Sequence, residues 1–303
     1  MTSTLGFVGL GAMGAPIANR LLSQGHTVYG TNRTRSKAAP LIEAGLLWCD
    51  SPREVAQAAD VVFSMVTDDG ALEALTAGPD GILAGLGAGK DYVDMSTVSP
   101  EYSRELAERV GARGASMLAA PVSGSVPAAQ AGSLAIIVGG HADAFERVEP
   151  ILRGLGSTVT FVGDNGQALL LKLAINISLA VQLLTFSEGV LLAERGGVKP
   201  EVALEVLTHS AISSPGLKAR APMLLELPEH GWFDVAMMRK DLRLALATAR
   251  ELQVPLPSTA LADEVLGTAV RLGYEHRDIA VLFRVLSEMT SPPPNGQPGP
   301  GAP

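Results

Sequence analysis

Apolar residues in the first half of this chain come in short runs, separated by stretches with helical spacing. Leu5–Val8, His26–Thr31, Asp60–Val66 and Asp91–Met95 predict buried strands. Ser116–Ala119, Leu134–Val138 and Val159–Val162 predict three more. Between the strands, Ala15–Leu22, Arg53–Ala59 and Pro100–Val110 predict helices. This alternation implies a mostly parallel sheet with helices on both faces. After Gly166 the strand pattern vanishes. A long helix is predicted from about Gln167 to Arg195, with Gly196-Gly197 as its stop signal. Pro200–His209, Met237–Leu252, Ser258–Leu272 and Asp278–Met289 predict further helices. The reading is an α/β domain over 1–164, then an all-helical domain over 165–290, joined by the long central helix. Ser291–Pro303 is a Pro/Gly tail predicted to be disordered.

The long helix is apolar on every side and must be covered on every side. Its segment Ala168–Phe186 has the length of a membrane span. Lys172, Asn176 and Gln182 within it are costly in a bilayer, so a buried core helix is expected, with no membrane association. A second copy of the chain can supply the cover, which predicts a homodimer or a higher homo-oligomer. The chain has 303 residues, 47% of them hydrophobic, which is enough for two cores. Its net charge of −8 disfavours nucleic acid as a partner. One cysteine, Cys49, excludes an internal disulfide and fits a reducing, cytoplasmic compartment. The first strand begins almost at the N-terminus, so no signal peptide is expected.

Chemistry enters with the first strand–turn–helix unit. Gly9, Gly11 and Gly14 have G-x-G-x-x-G spacing, with Ala12 and Met13 in the same turn. Such a turn lets a pyrophosphate approach the backbone at a helix N-terminus, and so predicts dinucleotide binding. The second strand ends at Asn32-Arg33-Thr34, where an NAD site usually has an acid. An arginine there attracts a 2′-phosphate, and Arg35 and Lys37 add charge, so NADP(H) is the expected cofactor. The competing reading is a loop of solvated charges. Val66-Thr67 and Ser96-Thr97 follow strands at the carboxyl edge, where ligands gather, though both pairs also fit plain helix caps. Ser123-Gly124-Ser125 can form an anion-binding nest for a carboxylate, or an ordinary polar turn. Lys172 sits among leucines with Asn176 four residues on, on one helical face. A desolvated lysine gives up its proton readily, as a donor to a reduced carbonyl must. The alternative is a lysine that snorkels to solvent.

Taken together, these patches resemble the β-hydroxyacid dehydrogenase family. The resemblance is carried by GFVGLGAMG (Gly6–Gly14), DMSTVSP (Asp94–Pro100), APVSGSVPAAQAGSL (Ala120–Leu134) and GQALLLKLAIN (Gly166–Asn176). Phe233 with Lys240-Asp241-Leu242 looks like the family's C-terminal signature. The resemblance implies a Rossmann-type, doubly wound first domain. It implies Lys172 as general acid/base with Asn176 as its partner; no metal site is expected. It implies Thr97, Ser123 and Gly124 at a substrate carboxylate, Phe233 and Asp241 reaching in from the C-terminal region, and Lys240 at the cofactor. The SGSVPA wording is similar to the glyoxylate/succinic semialdehyde reductase branch. The activity implied is reduction of a small carboxylate-bearing aldehyde or keto acid, or the reverse oxidation. A 3-hydroxyisobutyrate-type dehydrogenase, an imine reductase (usually without the lysine) and a non-catalytic NADP-binding module are the alternatives. Ala119, Ser125 and Ala168 depart from the family's usual Asp or Glu, Gly and Gly.

Overall fold

The computed structural model describes residues 4–229 and 231–290. The tail predicted over 291–303 lies outside the described residues. The chain forms two compact units that divide between Ile175 and Asn176.

The first unit opens with β1 (Thr4–Val8), α1 (Gly14–Ser23), β2 (Thr27–Thr31), α2 (Ala39–Glu43) and β3 (Leu47–Trp48). It continues through α3 (Pro52–Ala58), β4 (Val61–Ser64), α4 (Asp69–Thr76), α5 (Ile82–Gly85), β5 (Asp91–Asp94) and α6 (Pro100–Gly111). It closes with β6 (Ser116–Ala119), β7 (Val122–Ser123), α7 (Val126–Ala131), β8 (Leu134–Gly140), α8 (Ala142–Leu155) and β9 (Gly156–Gly163). The sheet order is β3-β2-β1-β4-β5-β6-β8-β7, with β9 paired to β8. The first six strands are mutually parallel, and β8 runs antiparallel to β6. The order β3-β2-β1-β4-β5-β6 is that of a Rossmann fold, in which the crevice between β1 and β4 takes the ligand.

Strand residues alternate between two cores, as a period of two requires. Leu5, Phe7, Val61, Phe63 and Val93 pack with Ile17 and Leu21 of α1 and Leu152 of α8. Val8, Val62 and Tyr92 pack on the other face with Leu72 of α4, Ile82 of α5 and Leu106 of α6. With both faces covered, β4 and β5 are buried at every position, which is why they read as unbroken apolar runs.

The helix α9 (Asn165–Arg195) crosses from one unit into the other. Ala168 and Leu169 belong to a core of the sheet, while Ala180, Leu183, Leu184, Phe186 and Val190 belong to the helical core. The second unit adds α10 (Pro200–His209), α11 (Pro215–Leu225), α12 (Val235–Glu251), α13 (Pro257–Arg271) and α14 (Leu282–Thr290). Ser214 caps α11 and Asp234 caps α12, so that α12 starts two residues earlier than its apolar spacing predicts. Among the described residues, apolar spacing does not predict six of the helices, the short α2, α4, α5 and α7 and the longer α8 and α11. Both α8 and α11 carry a proline inside, Pro150 and Pro222, and tertiary packing overrides that local signal. The predicted helix Asp278–Met289 divides into a 3-10 turn, Ile279–Val281, and α14.

The three motif glycines differ in what surrounds them. Gly9 has φ +96°, and a Cβ there would meet the Met65 carbonyl oxygen at 2.4 Å. A Cβ on Gly14 would lie 2.0 Å from the Gly9 carbonyl oxygen. A Cβ on Gly11 would meet nothing within 4 Å. Gly14 is therefore required by the packing of the turn, and Gly11 only by what approaches it from outside. Gly14→Ala is expected to destabilise the protein by about 1–3 kcal/mol in urea titration, since the clash is with rigid backbone. Gly11→Val is expected to leave the urea midpoint nearly unchanged while weakening dinucleotide binding at least about tenfold by fluorescence titration.

Candidate active site

The first group of candidate residues lies at the carboxyl edge of the sheet. Asn32, just past β2, ties the glycine turn to the loop that follows it. Its Oδ1 accepts from the Leu10 amide at 3.2 Å, and its Nδ2 donates to the Thr34 carbonyl at 3.0 Å. Gly11 and Ala12 are exposed, and Met13 is half-buried. No side chain caps α1 and no acid lies in its first turn, whereas Ser51, Asp68 and Ser99 cap α3, α4 and α6. An uncapped helix start behind an open glycine turn fits a pyrophosphate. Arg33 is exposed and, among the described residues, has no ion-pair partner. Arg35 lies over the Trp48 ring at 5.1 Å, so its charge is anchored beside the end of β2.

The ends of β4 and β5 are joined by hydrogen bonds. The Val66 amide donates to Ser96 Oγ at 3.0 Å. Ser96 Oγ donates to Asp94 Oδ1 at 2.6 Å, and so does Ser64 Oγ at 2.7 Å. Thr67 donates to Asp68, which holds the start of α4. Thr97 is half-buried just past Ser96. The Ala120 amide donates to the Asp94 carbonyl at 2.7 Å and leads the chain into β7. β7 ends at Ser123, paired with Ala135 of β8. Gly124 follows with φ +130°, a conformation that turns the chain sharply into α7. The α7 start has no side-chain cap. The Ser123-Gly124-Ser125 turn is thus half-buried to exposed.

Lys172 is half-buried on α9, one helical turn before Asn176. In the second unit, Asn176 is 2% exposed, and its Nδ2 donates to Asp241 Oδ2. Asp241 is equally buried, and its other oxygen pairs with Lys240 Nζ at 2.7 Å. Asn176, Lys240 and Asp241 thus form one connected group on α9 and α12. The Asp241 carboxylate accepts from Asn176 and is ion-paired with Lys240; because a carboxylate oxygen only accepts, the Asn176 amide has its NH2 side toward α12.

Phe233 sits in the loop before α12, half-buried against the helical core. That loop is held by Asp278, which is fully buried and accepts from the Trp232 amide at 2.8 Å and the Phe233 amide at 3.2 Å. Arg220 pairs with Asp278 at 3.6 Å and stacks on Trp232 at 5.4 Å. Burial pulls the Arg220 pKa down, and the Asp278 carboxylate offsets part of that. Neither Arg220 nor Asp278 is picked out by spacing. The two residues of this pair stand far apart in sequence, and no local pattern links them. Asp94 is missed likewise, although an acid closing an apolar strand is a visible oddity.

Residues 4–163 match the family described as the NAD binding domain of 6-phosphogluconate dehydrogenase. Residues 166–286 match the family described as NAD-binding of NADP-dependent 3-hydroxyisobutyrate dehydrogenase. The 2-(hydroxymethyl)glutarate dehydrogenase of Eubacterium barkeri is 33% identical over 287 residues, 94% of this chain and 95% of that protein. The chloroplastic glyoxylate/succinic semialdehyde reductase 2 of Arabidopsis thaliana is 32% identical over 290 residues, 96% of this chain and 81% of that protein. A solved structure of Psf3 in complex with NADP+ and 2-OPP superposes with a TM-score of 0.86 at 30% identity, covering 93% of this chain and all of that one. Glycine turn, strand order and these full-length matches agree: the chain belongs to the β-hydroxyacid dehydrogenase family of NAD(P)-binding oxidoreductases.

Proposed function

We propose that this protein reduces small carboxylate-bearing aldehydes or keto acids with NADPH, glyoxylate and succinic semialdehyde first among them, or runs the reverse oxidation. The observation that carries the reading is the placement of Lys172 one helical turn before an Asn176 whose amide is pinned by Asp241. The bound cofactor supplies a hydride to the carbonyl carbon. Lys172 gives its ammonium proton to the carbonyl oxygen, so a hydroxyl forms and a neutral amine is left to regain a proton from water. Ser123, Gly124 and Thr97 anchor the substrate carboxylate and so orient the carbonyl. The family resemblance adds Phe233 and Asp241 to the substrate residues, and within the helical unit Asp241 forms one group with Asn176. The turn Gly9–Gly14, with Val66, Thr67 and Ser96, holds the dinucleotide, and the family resemblance adds Lys240. Arg33, beside an uncharged Asn32, selects the 2′-phosphate. The SGSVPA wording and the Arabidopsis relative's name support the semialdehyde branch. The single cysteine supports a cytoplasmic setting.

We also infer that α9 is covered by a second copy of the chain. Leu171, Ile175, Ser178, Gln182, Thr185, Gly189 and Leu192 recur at alternating steps of four and three, and all are exposed or half-buried. That spacing makes a continuous seam of the kind helices use to pair. Only 39% of the helix's most apolar stretch is buried within one chain, which leaves a side for a partner helix.

Lys172→Ala is expected to lower kcat for glyoxylate or succinic semialdehyde by about 10²–10⁴-fold and leave the NADPH Kd unchanged. Wild-type turnover in that variant overturns the mechanism. A panel that includes 3-hydroxyisobutyrate and a cyclic imine separates the neighbouring activities, and no turnover with any of them favours a plain binding module. Arg33→Ala is expected to raise the KM for NADPH about tenfold and spare NADH, by loss of one charge-assisted contact. An equal effect on both refutes the cofactor preference. Light scattering is expected to give at least twice the mass of one chain, falling to one chain in an Ile175→Glu, Leu192→Glu double variant.

A further inference from the structure

The carboxyl ends of β4 and β5 hold a hydrogen-bond relay whose direction is decided by chemistry. Asp94 is the last residue of β5 and is 1% exposed. Its register partners are Ser64 on β4 and Ala119 on β6, so it lies in the middle of the sheet. An ionised carboxylate only accepts. Both hydroxyls that reach Oδ1, from Ser64 at 2.7 Å and Ser96 at 2.6 Å, must therefore donate to it. With its one hydrogen committed, Ser64 accepts from the Tyr92 hydroxyl 2.7 Å away. Burial pushes the Tyr92 phenol well above its usual range, so that proton is always present to be donated. Ser96 likewise has its hydrogen committed inward, and its lone pairs are left to face the Val66 amide, which donates at 3.0 Å.

Val66 and its neighbour Met65 form the wall against which the glycine turn packs. A Cβ on Gly9 would touch the Met65 carbonyl oxygen at 2.4 Å and the Val66 side chain at 3.3 Å. Met65 is itself held by its amide, which donates to the Val8 carbonyl at 3.1 Å. The order of contact thus runs from Asp94 to Ser96, from Ser96 to Val66, and from the Met65–Val66 segment to the turn where the dinucleotide enters.

We propose that Asp94 is a positioning residue for the dinucleotide: its buried carboxylate turns the Ser96 hydroxyl inward, so that Ser96 holds the Val66 amide and sets the loops after β4 and β5 in their binding shape. Asp94 does not touch the cofactor in this scheme. It acts through Ser96, and the inference rests on Val66, Thr67 and Ser96 lining the dinucleotide site.

A double-mutant cycle on the NADPH Kd tests it, read by quenching of tryptophan fluorescence in the full chain. Asp94→Ala is expected to weaken binding about tenfold, and Asp94→Asn, whose amide oxygen still accepts, about threefold. Both losses are expected to shrink to within about twofold when Ser96 is already alanine, because the hydroxyl link to the Val66 amide is then absent and only the Ser96 backbone amide, 3.3 Å from Asp94 Oδ1, still reaches the carboxylate. A loss of stability alone does not produce this coupling. If Asp94→Ala does not fold, the Asn cycle carries the same test. Losses that persist undiminished in the Ser96→Ala background overturn the proposal, as does a soluble Asp94→Ala that binds like wild type. A wild-type protein that binds no dinucleotide overturns instead the reading of the site on which the proposal rests.

Discussion

The constraint that shapes this molecule is the solvation of one helix. α9 is 31 residues long and too apolar to stand in water. Its first turns bury Ala168 and Leu169 in a core of the sheet, and its middle buries Leu183, Leu184 and Phe186 in the helical core. Each unit therefore depends on part of the same element. Within each core, every buried side chain of the helix withdrawn to water costs about 1.5–3 kcal/mol in lost transfer energy. Lys172 and Asn176 lie one turn apart on this helix.

A second theme is the use of buried acids as acceptors. Asp94, Asp241 and Asp278 are each at most 2% exposed; Asp94 and Asp278 gather hydrogen-bond donors from more than one segment, and Asp241 joins one donor, Asn176, to the Lys240 ammonium. Burying a charge is costly unless it is fully hydrogen-bonded, so such residues mark places where geometry outweighs burial cost. Asp94 ties two strand ends. Asp241 ties α9 to α12. Asp278 ties the Phe233 loop to the start of the last helical turns. In all three cases the acid stands behind a group that faces a ligand in the proposed scheme.

Much of the fold was legible in the order of residues. The β1–α1–β2 unit, the buried strands β4 and β5 and most of α9 follow from apolar spacing and glycine placement, to within a residue or two at most ends. The helices with internal prolines were not legible because a proline reads as a helix breaker, and the short helices α2, α4, α5 and α7 and the two-residue strands β3 and β7 were not because so few residues express no period and partners decide. The antiparallel turn of β8 onto β6 was likewise invisible, since register and direction are set by pairing. Among the candidate site residues, those in compact motifs, such as Gly9, Gly11 and Gly14 or Lys172 and Asn176, could be named from local sequence. Asp94, Arg220 and Asp278 could not be singled out, because they act on residues far along the chain or in a neighbouring strand.

The sequence by itself determined which chemistry is present: a glycine turn, an acid-free end to β2 and a lysine in an apolar helix. These are local properties, and spacing of a few residues suffices to express them. Only the tertiary structure decided which glycine is needed by packing and which by an approaching ligand, and which way each buried hydroxyl points. The reason is physical. A clash at 2.0 Å or a committed proton depends on atoms brought together across the sheet, and no period along the chain encodes that meeting.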